Sequence, residues 1–115
     1  MTDCLFCKMV QGEIKPSTVM ATEDLIAFRD IHPQAPLHVL FIPKRQPLPT
    51  LDAASETDAP LLGKLLLTAA AFARNEGYAD SGYRCVLNCN RDGGQTVYHL
   101  HIHLLAGRPL HWPPG

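Results

Sequence analysis

The sequence predicts an α+β fold, with about five strands in an antiparallel sheet, one long helix and a short N-terminal helix. Three observations carry this. Only Asp58–Glu76 repeats apolar residues at helical spacing, through Leu61, Leu62, Leu65, Leu66, Ala69, Phe72 and Ala73. Short β-prone runs punctuated by turn residues account for the rest of the ordered chain. The run His99–Leu105 alternates strictly between histidine and apolar residues, which is strand periodicity.

Taken in order, Cys4–Gln11 is short, mixed in polarity and followed by Gly12, which predicts a turn or a helix of one to two turns. Thr18–Thr22 and Leu25–Arg29 flank Glu23-Asp24 and read as a hairpin. His38–Ile42 is an apolar strand stopped by Pro43. Gln46–Leu51 holds Pro47 and Pro49 and is a loop. In the long helix Pro60 suits the first turn, and Gly77 follows the last. Tyr83–Asn88 and His99–Leu105 complete the strands.

At 115 residues the chain is expected to form one domain, spanning 1–115. A net charge of −1 gives no basic footprint for nucleic acid. No apolar run reaches membrane-spanning length, because Gly63, Lys64 and Thr68 interrupt Leu61–Phe72. The N-terminus has neither the basic region nor the apolar stretch of a signal peptide, so a cytoplasmic setting is expected. Cysteines there are metal ligands or reduced thiols rather than disulfides.

Three of the six histidines fall inside five residues. Leu100, Ile102 and Leu104 then face a core, and His99, His101 and His103 line the other face. One reading is a solvated strand face that happens to be histidine-rich. The others are a metal site, or acid–base and nucleophilic chemistry on imidazole. Cys4-Leu-Phe-Cys7 has a spacing that can turn two sulfurs toward one tetrahedral ion. Metal binding, redox chemistry and accident remain open for a lone pair of this kind. A redox role is disfavoured, since no thioredoxin-like βαβ pattern surrounds it. A zinc site built from Cys4, Cys7, His38 and His99 is chemically reasonable. Cys85 and Cys89 read as small buried side chains without a role. Asn88–Thr96, with Asp92-Gly93 and Gly94, is either a plain hairpin loop or a concavity of backbone N–H groups for an anion. It leads directly into the histidine run.

These pieces together resemble the histidine triad superfamily of nucleotide hydrolases and transferases. His99-Leu-His-Ile-His-Leu-Leu105 is similar to its signature. The third histidine, His103, separates the chain from the uridylyltransferase branch, which carries glutamine there. Gly93-Gly-Gln-Thr-Val-Tyr98, Asp30-Ile-His-Pro-Gln-Ala-Pro36 and the tail Gly107–Gly115 resemble the histidine triad nucleotide-binding (Hint) branch.

The resemblance implies a HIT-like fold and a hydrolase acting on the P–N bond of purine nucleoside 5′-phosphoramidates. It implies His101 as the nucleophile that forms a nucleotidyl-imidazole intermediate, within a catalytic set of His99, His101 and His103. His103 is implied to contact phosphate and aid proton delivery to the leaving amine. Asn88, Gly94, Gln95 and Thr96 are implied to hold ribose and phosphate, Asp30 the ribose hydroxyls, and Ile31 the base. It further implies a structural zinc ion on Cys4, Cys7, His38 and His99, no organic cofactor, and a homodimer in which Trp112 approaches the partner's site. Alternatives are a nucleotide-binding regulator or scaffold with incidental hydrolysis, a dinucleoside polyphosphate hydrolase, and a plain zinc-stabilised domain. His32 and His111 carry no assignment.

Overall fold

The computed structural model of the chain describes residues 5–13, 15–45 and 48–115. A five-stranded, wholly antiparallel sheet runs in the order β1-β2-β3-β5-β4. Its strands are β1 (Thr18–Ala21), β2 (Leu25–Arg29), β3 (Leu37–Pro43), β4 (Tyr83–Val86) and β5 (Ile102–Ala106). A short helix, α1 (Leu5–Val10), precedes β1. The long helix α2 (Ala59–Asn75) follows a 3-10 turn at Glu56–Asp58.

β3 is buried along its whole length because both of its faces are covered. Leu37, Val39 and Phe41 join Leu25, Ala27, Leu104 and Ala106 against Leu65, Ala69 and Ala73 of α2. Phe41 meets Phe72 of α2 edge to face, with ring centroids 6.0 Å apart. Each Leu or Phe so withdrawn contributes about 1.5–3 kcal/mol. On the other face Leu40 and Ile42 pack with Ile26, Phe28 and Phe6 of α1.

The start of α2 is secured by Asp58, a buried carboxylate that accepts from the Ser55 N–H and pairs with Arg45. Its end is a left-handed Gly77 with φ of 90°, after which the Tyr78 N–H returns to the Ala73 carbonyl.

The sequence expectation and the structure differ most at the last strand, which begins at Ile102 rather than His99. The ladder with β3 ends at the Phe41–Ile102 pair. The Leu100 N–H goes instead to the Leu48 carbonyl, and the Pro43 carbonyl is taken by the His99 ring. Side-chain alternation survives this change. Leu100, Ile102 and Leu104 all enter the core under α2. β4 likewise stops at Val86 rather than Asn88. Among the described residues no helix is long and apolar enough to cross a membrane.

Candidate active site

The side chains opposite α2 converge on a cleft of about 530 Å³. Phe6, Met9, Phe28, Leu40 and Val97 give it an apolar floor. Asp30, Asn88, Gly94, Thr96, His101 and His103 form its polar end. Strand parity explains the convergence. Phe28 of β2, Leu40 of β3 and His103 of β5 are laterally adjacent positions, since Phe28 pairs with Leu40 and Leu40 with His103.

The partners of each imidazole assign its tautomer, because a backbone N–H can only donate and a carbonyl can only accept. The Gln34 N–H donates to His38 Nδ1 at 3.0 Å. His38 Nε2–H therefore donates to His103 Nδ1 at 2.9 Å, and His103 carries its own proton on Nε2. His101 Nδ1–H donates to the His99 carbonyl at 2.8 Å, which leaves its Nε2 with a free lone pair. His99 Nε2–H donates to the Pro43 carbonyl at 2.8 Å, and His99 Nδ1 faces Cys7 Sγ at 3.2 Å. The four rings thus have defined polarities. His101 offers a lone pair and His103 offers an N–H donor.

Burial holds all four rings neutral at neutral pH. It lowers the pKa of His101 below the ordinary 6.5, partly opposed by the His99 carbonyl and the Asp30 charge. His103 is pushed down to about 4 by burial and then by His101 and His38. Burial also lowers His99 and His38, the latter against the pull of Asp30. A buried neutral imidazole with an open Nε2 is a nucleophile. Phe6 presses edge-on against the His101 ring at 4.9 Å and holds it in place.

Asp30 sits at the turn after β2. Its Oδ1 accepts from the His32 N–H at 2.8 Å, and its Oδ2 lies 3.5 Å from His38 Nε2. That arrangement leaves a half-buried carboxylate at the cleft wall with acceptor capacity to spare. Ile31 is 80% exposed at the same rim. The loop after β4 is built around two left-handed residues, Asn90 (φ 63°) and Gly94 (φ 85°). At Gly93 any Cβ would stand 2.5 Å from the Cys89 carbonyl oxygen, so only glycine fits the turn.

Several sequence-derived sites fall elsewhere. His99 is 1% exposed and does not line the cleft; it orients His101 through its carbonyl. Gln95 also turns inward, at 6% exposure. Trp112 is 82% exposed, and its tail is held by the Arg84 guanidinium on the Leu110 and His111 carbonyls.

The four-residue zinc set is not assembled. Cys4 lies outside the described residues, and among the described members of the set only Cys7 and His99 meet. His38 stands about 17 Å along β3 from Pro43, where the His99 ring is bound, since a strand advances about 3.3 Å per residue. His38 faces Asp30 and His103 instead, with donor atoms all within 4.8 Å. That trio has the donor types for a metal but the wrong polarity. A metal-ligating imidazole donates its second N–H outward, whereas His38 Nδ1 is already an acceptor from Gln34. His99 has the right polarity, with Nε2–H on a carbonyl and Nδ1 toward sulfur. Cys7 is oxidised in a disulfide in this structure, against the expectation of metal ligands or reduced thiols. It could therefore join His99 on a zinc ion only once reduced, and His38 does not fit one.

Reading the sequence alone missed His38 as the buried hydrogen-bond partner of the cleft residue His103 and Phe6 as the support of His101. Strand parity was the available signal for His38. It shares its side of β3 with Leu40 and Ile42, two and four residues on.

Comparison with known proteins agrees with this geometry. Over 109 residues the chain is 48% identical to the purine nucleoside phosphoramidase of Escherichia coli strain K12, covering 94% of this chain and 90% of that protein. It is 49% identical to a 14 kDa zinc-binding protein of Brassica juncea, covering 98% of this chain and 100% of that one. A crystal structure of a HIT family hydrolase from Legionella pneumophila superposes with a TM-score of 0.95 at 49% identity, covering 98% of this chain and 100% of that one. A family model described as the HIT domain matches residues 11–110, and the chain belongs to the HIT domain family, in its histidine triad nucleotide-binding branch.

Proposed function

We propose that this chain, folded as one HIT domain in the cytoplasm, hydrolyses the P–N bond of purine nucleoside 5′-phosphoramidates through a nucleotidyl-His101 intermediate. The observation that carries the reading is the His101 tautomer. Its Nδ1–H is spent on the His99 carbonyl, so Nε2 enters the cleft unprotonated. Nε2 attacks the α-phosphorus, the P–N bond breaks, and the amine departs with a proton taken from solvent water, its nitrogen hydrogen-bonded by His103 Nε2–H. Water then cleaves the P–Nε2 bond, releasing the nucleoside monophosphate and restoring His101. His103 Nε2–H is the donor facing the phosphate and leaving group. The Gly94 and Thr96 backbone and Asn88 would surround the phosphate, Asp30 would accept from the ribose hydroxyls, and Ile31 would cover the base.

The named activity of the Escherichia coli relative supports the substrate class. Rapid-quench mass spectrometry on an adenosine phosphoramidate tests the reading, with an AMP adduct expected on His101. Turnover with an adduct on another residue, or with none under single-turnover conditions, rejects it.

A homodimer belongs to the same reading. The outer stripe of α2 exposes Gly63, Leu66 and Leu67, and β4 is an unpaired edge of the sheet. A sedimentation mass of one chain would reject it. With Trp112 against the partner's site, deleting Leu110–Gly115 should change the kcat/KM ratio between two phosphoramidates that differ only in the amine. An unchanged ratio removes Trp112 from the site.

A further inference from the structure

We propose that Gln95 is a positioning residue, which sets the phosphate loop relative to His101 without touching the nucleotide. The inference rests on the nucleotide reading above. Gly94 and Thr96, on either side of Gln95, line the cleft, and Gln95 does not. Its side chain turns into the protein and spends its whole carboxamide there. Oε1 accepts from the Asn90 N–H at 2.9 Å. Nε2 donates to the Pro49 carbonyl at 2.8 Å and to the Val97 carbonyl at 3.1 Å. The Gln95 N–H also returns to the Asn90 carbonyl at 3.0 Å. One side chain therefore closes the loop on itself and pins it to the Leu48–Thr50 segment.

That segment is itself tied to the nucleophile. The Leu48 carbonyl accepts from the Leu100 N–H, next to His101. Loop and nucleophile are thus fastened to one buried strip of chain, through Gln95 on one side and Leu100 on the other. This matters because Asn90 and Gly94 occupy left-handed backbone, and a loop of that kind needs an outside hold to keep its N–H groups aimed. A displacement of about 1 Å at a reacting centre costs up to about a hundredfold in rate.

The test uses the full chain with Gln95→Met, which removes all three side-chain bonds at similar volume. Gln95→Glu keeps the acceptor for Asn90 and loses both donors. Amide hydrogen exchange is measured without ligand, and AMP affinity by calorimetry. In Gln95→Met the Asn90 and Leu100 amides should exchange about tenfold faster or more, while Val39 and Leu104 keep wild-type protection, showing that the sheet is intact. In Gln95→Glu only Leu100 should accelerate. In both variants the Kd for AMP and the KM for an adenosine phosphoramidate should rise about tenfold or more, with the acid limb of the pH profile unmoved because His101 is untouched. Faster exchange with wild-type AMP affinity makes Gln95 a structural residue only and overturns the proposal. Weaker AMP binding with unchanged exchange makes it a direct ligand contact and also overturns it. Wild-type protein that fails to bind AMP rejects the nucleotide reading and the positioning role together, and is recognised before any variant is measured.

Discussion

The two faces of the sheet carry similar apolar strands but very different covers. On one face α2, seventeen residues and about 26 Å long, lies over Leu25, Val39, Phe41 and Leu104 and closes the core. On the other, α1 has six residues and reaches about 9 Å, enough to seat Phe6 on Phe28 and His101 but not to span the sheet. The uncovered part of that face is the cleft. His101 and His103 sit at its edge, where burial keeps them neutral while their Nε2 atoms stay reachable. The comparison teaches that the site needs no special strand. It needs a cover short enough to leave polar atoms of a buried strand open.

The comparison breaks most sharply at His101. His101→Asn should lower turnover about 10³-fold or more while the melting temperature changes little. Near-wild-type turnover by folded protein would contradict the assignment. The mirror experiment is Leu65→Ala, under the closed face. It should cost about 2–5 kcal/mol of stability, read by denaturant unfolding, with kcat per folded molecule nearly unchanged. A large loss of kcat with unchanged stability would show that the faces are not separable.

His38 sharpens the distinction within the cleft face. His38→Gln removes the donor to His103 Nδ1 and should lower kcat/KM about ten- to a hundredfold. Zinc content, measured by atomic absorption beside the wild type, should not change, since His38 is far from Cys7 and His99. Loss of zinc on this substitution would restore His38 to the metal set.

The pH dependence is the mildest effect. Folded His38, His99, His101 and His103 all bind protons less readily than the ordinary 6.5. Below that pH the unfolded chain takes up protons that the folded one refuses, so stability is full above about 6.5 and falls progressively toward the His103 value of about 4. The acid limb of kcat/KM should lie below 6.5 for the same reason. A melting temperature that rises between about pH 7 and about pH 5 would contradict burial of neutral imidazoles.

Much of this was legible in the chain. The helical repeat of α2 and the period-two run into Leu104 follow from local rules that hold wherever one face of an element is buried. Asp30, His101 and His103, together with Asn88, Gly94 and Thr96, meet as the motifs imply. What one strand's pattern does not contain is the register of its neighbours, and that decided the rest. His38 lies on β3 and His99 in the segment just before β5, and only the pairing of Phe41 with Ile102 puts one beside His103 and the other beside Pro43. Gln95 stands between two cleft residues in sequence, yet its side chain goes to carbonyls of Pro49 and Val97 that need a buried donor. Polar residues choose partners by three-dimensional supply of unpaired groups. Apolar periodicity is written along the chain, and so the sequence by itself determined the layers while tertiary structure decided which partner each histidine meets.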